Sequence, residues 1–252
     1  MLLKRRTSTA LIVILLTIFF PLSKTYAAPF SINTTFWDKY TNADGTGLYF
    51  DILTSVYGKD KYTYTLEPWK RAQSSFVAGK GDSLLGEGPE MEYCHYSKWP
   101  VDADFYSAFY LKSKISSLPS STKFNPYKVI WVRGYAIDTI VKGLKPFAEV
   151  DNIEQGIKMI IAGRADILID YEADMKDYLT GKKLVSAENI VSSTDISGGF
   201  IYLCFRKGDA MNSNVKLFDD KMETLFKTGA LAKIFAKYNR TKNYTQMIKF
   251  QK

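Results

Sequence analysis

Ala78-Gly79-Lys80-Gly81-Asp82-Ser83-Leu84-Leu85-Gly86 and Ala162-Gly163-Arg164-Ala165-Asp166-Ile167-Leu168-Ile169-Asp170 are near-copies of one phrase: Ala-Gly, a base, one residue, an Asp, then a short apolar run. Before the first, Trp69, Ala72, Phe76 and Val77 recur at helical spacing, and before the second so do Ile153, Ile157, Ile160 and Ile161. Gly79 and Gly163 fall where such helices end, because glycine tolerates the left-handed conformation of a C-terminal cap. Lys80 and Arg164 place a positive charge beside the negative helix end. The runs Ser83–Leu85 and Ile167–Ile169 are short, apolar and bounded by turn signals, as buried parallel strands are. Each phrase therefore reads as the helix-to-strand half of an α/β unit. A chance recurrence of a common helix stop is the competing reading.

The wider pattern favours two lobes of one construction. Phe30–Thr34 reads as a strand and is followed by a loop and a helix over Tyr49–Tyr57. Lys128–Val132 reads as a second opening strand, followed by Gly134-Tyr135 and a helix from about Ala136 to Lys142. Phe105–Leu111 and Gly199–Phe205 read as strands that cross between the lobes, and two such crossings would form a hinge. Helices over Val215–Phe226 and Leu231–Tyr238, split by Gly229, return to the first lobe, and Thr241–Lys252 reads as a polar, mobile tail. The expected division is a leader over 1–27, a first lobe of 28–108 with 200–252, and a second lobe of 109–199.

The N-terminus carries Lys4, Arg5 and Arg6, an apolar run over Ala10–Phe20, and Thr25-Tyr26-Ala27 with small residues where a signal peptidase reads. That run is too short to cross a bilayer unaided, so the expectation is a periplasmic protein cleaved near Ala27, with a retained anchor as the alternative. Cleavage would remove four basic residues and no acidic ones, reducing the formal charge from +8 to +4. So small an excess is no nucleic-acid footprint. Cys94 and Cys204 either pair or remain two buried thiols, and with His95 as the single histidine they do not make a zinc quartet.

The order of Gly47–Ile52, Pro68-Trp69-Lys70-Arg71-Ala72, the two phrases, Val132-Arg133-Gly134-Tyr135 and Leu225–Leu231 resembles the extracellular solute-binding proteins of polar amino-acid ABC importers, over nearly the whole mature chain. The resemblance implies an α/β, type II periplasmic-binding-protein clamshell with two crossover strands as its hinge. It further implies a monomer that closes on a small polar, amino-acid-like molecule without any cofactor and presents it to an ABC permease.

In such a clamshell the residues just beyond the strand C-termini line the cleft. The first phrase delivers Gly86 and Glu87; the second delivers Asp170 and Tyr171. The family commonly holds the ligand's ammonium at the position of Asp170, the alternative being a solvated or helix-capping acid. It places an aromatic or large apolar side chain at Trp69, where core packing is the bland alternative. Phe36 and Trp37, in the loop after the first strand, are candidates for the same wall. Gly134, Tyr135 and Ala136 open a helix whose free N–H groups would suit an anion, although Tyr135 and Ala136 replace the family's hydroxyl residues. Amino-acid binders of this family also place an Arg soon after the first phrase to fork onto the α-carboxylate. Glu87-Gly88-Pro89-Glu90-Met91-Glu92-Tyr93-Cys94 contains none, so a standard α-amino acid is disfavoured unless Arg71 or Arg133 reaches in. With Glu87 facing Asp170 across the cleft, the charge favours an amine.

Two other functions remain open. A free clamshell can present its ligand to a membrane signalling receptor in place of a permease. Some proteins of this architecture resemble dehydratases or lytic enzymes that use an acid, but the sequence carries no nucleophile elbow, metal spacing or P-loop, and the reading is a non-enzyme with no catalytic residue.

Overall fold

The computed structural model describes residues 29–120, 123–182, 190–193, 196 and 198–249. The expected leader lies outside these residues. No described helix is long and apolar enough to cross a membrane.

The two phrases fold alike. Helix α2 (Trp69–Val77) follows helix α1 (Leu48–Tyr57) and ends at Gly79, φ 92°, where the Gly79 and Lys80 N–H groups bond back to Phe76 O and Ser75 O, both at 3.0 Å. Helix α4 (Ile153–Ile161) ends at Gly163, φ 68°, with Gly163 N–H on Ile160 O at 3.1 Å and Arg164 N–H on Met159 O at 2.9 Å. These are left-handed turns that a Cβ would strain, and they satisfy carbonyls the helix leaves over. The phrase's Asp then acts in the same way twice. Asp82 Oδ2 accepts from the Ser31 N–H at 2.8 Å and the Ser31 hydroxyl at 2.6 Å. Asp166 Oδ2 accepts from the Lys128 N–H at 2.8 Å. Each carboxylate ties the phrase strand, β3 (Ser83–Glu87) or β9 (Ile167–Tyr171), to the start of its parallel neighbour, β1 (Phe30–Thr34) or β7 (Val129–Val132).

Two sheets result. The first runs β2-β1-β3-β11-β4, with β5 also paired to β11; here β2 is Tyr62–Leu66, β4 Cys94–Tyr96, β5 Asp102–Asp104 and β11 Gly199–Arg206. The second runs β10-β6-β9-β7-β8, with β6 Tyr106–Leu111, β8 Ala148–Val150 and β10 Ile190–Ser193. Within each, β2-β1-β3 and β8-β7-β9 are parallel, and an antiparallel crossing strand, β11 or β6, lies against the phrase strand. The chain passes to the second sheet at Phe105, so Tyr106–Ala108 pair in the second sheet rather than with the first lobe to which the sequence assigned them. On the return, Gly199 already pairs with Asp104 in the first sheet.

Along β11 successive side chains face opposite ways. Ile201, Leu203 and Phe205 join the core under α1, α6 (Asn212–Lys227) and α7 (Ala230–Lys237). Cys204 joins the core on the α2 face, which runs on into the core of the second sheet through Trp69, Tyr106 and Tyr135. Apolar contact is therefore unbroken across the two lobes. Cys94 and Cys204 are bonded, with Cα atoms 5.2 Å apart, tying β4 to β11.

Two expectations are corrected. The expected helix over Ala136–Lys142 is a single turn, α3 (Ile137–Ile140): Ala136 sits left-handed at φ 51°, and Gly143 interrupts the chain at φ 83°. The expected tail is largely helix α8 (Thr241–Ile248), which packs on β5 and buries Asn243 and Met247; residues 250–252 lie outside the described residues. Its anchor is the i, i+3 pair Tyr244–Met247, which presents an apolar stripe that a polar average conceals. Met247→Ala should destabilise the protein by about 2–4 kcal/mol in urea unfolding, as for a buried core residue; a mobile tail would give no change.

Candidate functional site

The C-terminal ends of β3 and β9 come to one gap, which Gly86 and Tyr171 both line. Gly86 is held at φ 104° with the Trp37 ring on its backbone: a Cβ there would lie 2.4 Å from Trp37 Cζ3 and Cη2. Trp37 in turn packs on Trp69 (ring centroids 5.3 Å) and donates its indole N–H to the Tyr135 hydroxyl at 3.4 Å, across the two lobes. Gly134 lies against Trp69 and Gln73 of α2, a second contact between lobes. From the second sheet, Tyr106 stacks on Tyr171 (4.4 Å) and Tyr135 leans on Tyr171 (5.5 Å). Among these rings Trp37, Tyr40, Tyr49, Gly86, Asp104, Tyr171, Asp174 and Ile201 enclose a cavity of ≈ 10 Å³, space for about one water.

The sequence-derived residues distribute unevenly around this closed gap. Trp37, Gly86 and Tyr171 line it, while Trp69, Gly134 and Tyr135 form the surrounding contact between lobes. Phe36 is exposed and outside the lining. Arg133 is exposed and pairs with Asp151 at 3.4 Å, and Arg71 is exposed on α2. Neither guanidinium is directed inward. Ala136 caps a one-turn helix, too short to present an anion site.

The two acids differ sharply. Glu87 is buried, with Oε2 accepting from the Tyr93 hydroxyl at 2.6 Å and Gln73 Nε2 at 3.2 Å, and Oε1 from the Gly88 N–H at 3.0 Å. Burial still raises its pKa, partly offset by those bonds. Its oxygens are thus held by its own lobe. Asp170 is fully buried: Oδ1 accepts from the Tyr171 N–H at 2.7 Å, and Oδ2 has no partner. Loss of hydration, reinforced by the charge of Asp104, pushes its pKa up to about 8.

Residues the sequence reading missed complete the picture. Asp102 and Asp104 on β5 and Asp174 on α5 (Glu172–Lys182) are all held above the usual carboxylate range by burial, to which Asp102 adds at Asp104, and Asp104 and Asp170 add at Asp174, while the charge of Arg240 opposes the rise in all three. Asp102 is bonded to Ala103 N–H, Tyr49 OH and Asn243 Nδ2, whereas Asp174 Oδ1 is buried without a partner. The nearby cations turn to other acids. Arg240 binds Asp177 and the Tyr40 hydroxyl, Lys39 binds Asp177 at 2.9 Å, and Lys242 and Lys176 bind Glu172. The signal was present: Asp102-Ala-Asp104 sits before a crossing strand and Asp174 four residues after Asp170, but isolated acids read as solvated. Among the described residues no three His, Cys, Asp or Glu side chains converge as a metal ion would need.

No protein-family model matches the sequence, and no curated protein does. Solved structures match it closely in shape. The substrate-binding protein of an ABC uptake transporter from Streptococcus pneumoniae, with bound histidine, is 15% identical over 83% of this chain and 92% of its own, with a TM-score of 0.68. An ancestral amino acid-binding protein, a precursor of cyclohexadienyl dehydratase, is 17% identical over 83% and 95%, TM-score 0.67. A histidine kinase sensor domain with similarity to periplasmic binding proteins is 16% identical over 84% and 96%, TM-score 0.65. The chain has the two-lobe α/β fold of the type II periplasmic binding proteins.

A raised acid pKa makes the folded state retain a proton that the unfolded chain gives up near pH 4. The stability due to the protonated Asp170 is complete below pH 4 and is lost as pH rises through about 8. Asp170→Asn should therefore gain stability over the native protein progressively between pH 5 and 8, by up to about 1.4 kcal/mol per pH unit, and level off above. Urea unfolding across that range checks it.

Proposed function

We propose that the protein captures a small, amine-bearing polar solute between its lobes in the periplasm, after removal of its leader, and presents it to an ABC importer without chemically changing it. The observation that carries this reading is the unpartnered Oδ2 of the fully buried Asp170, at the end of β9 next to Tyr171, which lines the gap between the lobes. A cationic N–H is the partner such an oxygen lacks, and the rings suit an apolar stem or the face of a cation. The inward side offers no free guanidinium for a carboxylate, since Arg133 is paired with Asp151 and Arg240 with Asp177. The lobes touch through Trp37, Tyr135, Gly134 and Trp69, so a guest enters with the lobes apart and replaces some of those contacts on closure.

A sensing role rests on the likeness to the histidine kinase sensor domain. A permease and ATPase encoded beside this chain would favour import, and a signalling protein alone would favour sensing.

Titration calorimetry of the mature protein against simple amines, amino acids and dicarboxylates tests the proposal. Amines should bind, and Asp170→Asn should weaken them by about 10–100-fold, the worth of a charge-assisted hydrogen bond. Tight binding of a dicarboxylate with no response to amines would refute it. A bound cation requires the ionised carboxylate, which the free protein holds neutral at pH 7. Binding should therefore release a proton, and affinity should fall about tenfold per pH unit below about 8. Calorimetry in buffers of different ionisation enthalpy reads this directly.

A further inference from the structure

The lobes meet on acids contributed from both sides. Asp104, the last residue of β5 in the first sheet, and Asp174, in the first turn of α5 in the second lobe, line the same enclosed cavity of ≈ 10 Å³. Asp104 Oδ1 accepts from the Phe105 N–H at 2.8 Å, and Asp174 Oδ1 is buried without a partner. The rest of the lining comes from Trp37, Tyr40, Tyr49, Gly86 and Ile201 of the first lobe and Tyr171 of the second. Closure is therefore what encloses the two acids, and separating the lobes opens both to water.

The charged and titratable groups around the pair act in both directions. Burial opposes ionisation of both acids, the charge of Asp102 adds to this at Asp104, and those of Asp104, Asp170 and Asp102 add to it at Asp174. The charge of Arg240 favours ionisation of both, but burial outweighs it and both stay above the usual carboxylate range. Tyr40, Tyr49, Tyr106, Tyr135 and Tyr171 keep their protons, since burial raises all five. On its hinge side Asp104 also borders a cleft with Glu172, Lys176, Asp177, Arg240 and Lys242, where the lysines pair with Glu172 and Arg240 with Asp177. Those ion pairs answer pH in the opposite sense. The burial of Asp177 is outweighed by Arg240 and Lys39, and that of Glu172 by Lys176 and Lys242, so both acids are held below the usual range and lose their charge only in strong acid.

A carboxyl in such an enclosure either keeps its proton or becomes an unhydrated charge beside like charges. With the lobes apart the same groups meet water and ionise as ordinary acids. We infer that lobe closure is linked to proton uptake: Asp104 of the first lobe and Asp174 of the second are neutral in the closed gap, and their ionisation drives the lobes apart. The contribution to closure is complete below about pH 4, where both acids are neutral in either arrangement's range, and is lost as pH rises through their raised range. This linkage belongs to the free protein and holds whatever the guest.

Small-angle X-ray scattering of the mature protein without added ligand, from about pH 5 to about pH 9, reads lobe separation as the radius of gyration. Far-UV circular dichroism at each pH separates opening from unfolding. Each proton released on opening should multiply the open-to-closed ratio by up to about ten per pH unit, so the radius of gyration should rise across this range. Asp174→Asn and Asp104→Asn each remove one ionisation, and each should move the rise to higher pH or abolish it. A radius of gyration that stays constant or falls in the native protein would overturn the linkage, and this titration decides it even where a variant fails to fold. A rise unshifted in one variant would strike that acid from the switch, and one unshifted in both would overturn the assignment to this pair. Neither readout uses an amine, so failure of the amine reading in calorimetry and failure of the proton linkage in scattering are distinguishable.

Discussion

Two carboxylates set the geometry on which everything else rests. Asp82 and Asp166 each hold the first residue of a phrase strand against the opening of its parallel neighbour, through Ser31 and Lys128. A one-residue slip in a strand would exchange its faces, so these bonds fix which side chains emerge at the far end. With the register fixed, β3 ends at Gly86 and Glu87 and β9 at Asp170 and Tyr171. The lining is thus determined at the opposite end of each strand from the gap between the lobes. The left-handed glycines before each Asp make the approach possible, because helix and strand must reverse direction within a few residues.

The same construction yields different chemistry in the two lobes. At the first, a residue without a side chain, Gly86, lets Trp37 lie on the backbone, and the acid that follows is held by a tyrosine and an amide. At the second, Asp170 holds only a backbone N–H, and its remaining oxygen faces the interior. One lobe supplies a flat wall and the other a buried carboxyl with one oxygen unpartnered. A buried carboxylate with an open oxygen reduces stability, which is the expected signature of a group kept for binding.

The repeat made the two-sheet architecture legible because its helix stops and strand starts are local: glycine, base and Asp carry their meaning within a few residues. Asp170 and Tyr171 were legible for the same reason, as the next residues out of a recognisable strand. Glu87 was legible as the last residue of a strand, but its partners Tyr93 and Gln73 come from a loop and a helix that no local pattern links to it. Asp104 and Asp174 were illegible individually: their meaning depends on β5 and α5 being brought together across the crossing at Phe105. Helix α8 was missed for a related reason. Its apolar face is narrow, and it is stabilised by burial on β5, a partner distant in sequence.

The arrangement of charge sorts interior from rim. Lys39, Arg240 and Lys242 of the first lobe all pair with acids on α5 of the second, Asp177 or Glu172. Two of these pairs have their lysine exposed or half-exposed, where the Coulomb gain is small and screened by salt. Arg240 is different, since its guanidinium is buried and shared between Asp177 and Tyr40. These contacts join the lobes, and the charge of Arg240 also reaches Asp104 and Asp174, favouring the ionisation that burial opposes. Burial outweighs that attraction, so both acids stay above the usual carboxylate range while Arg240 joins the lobes through Asp177.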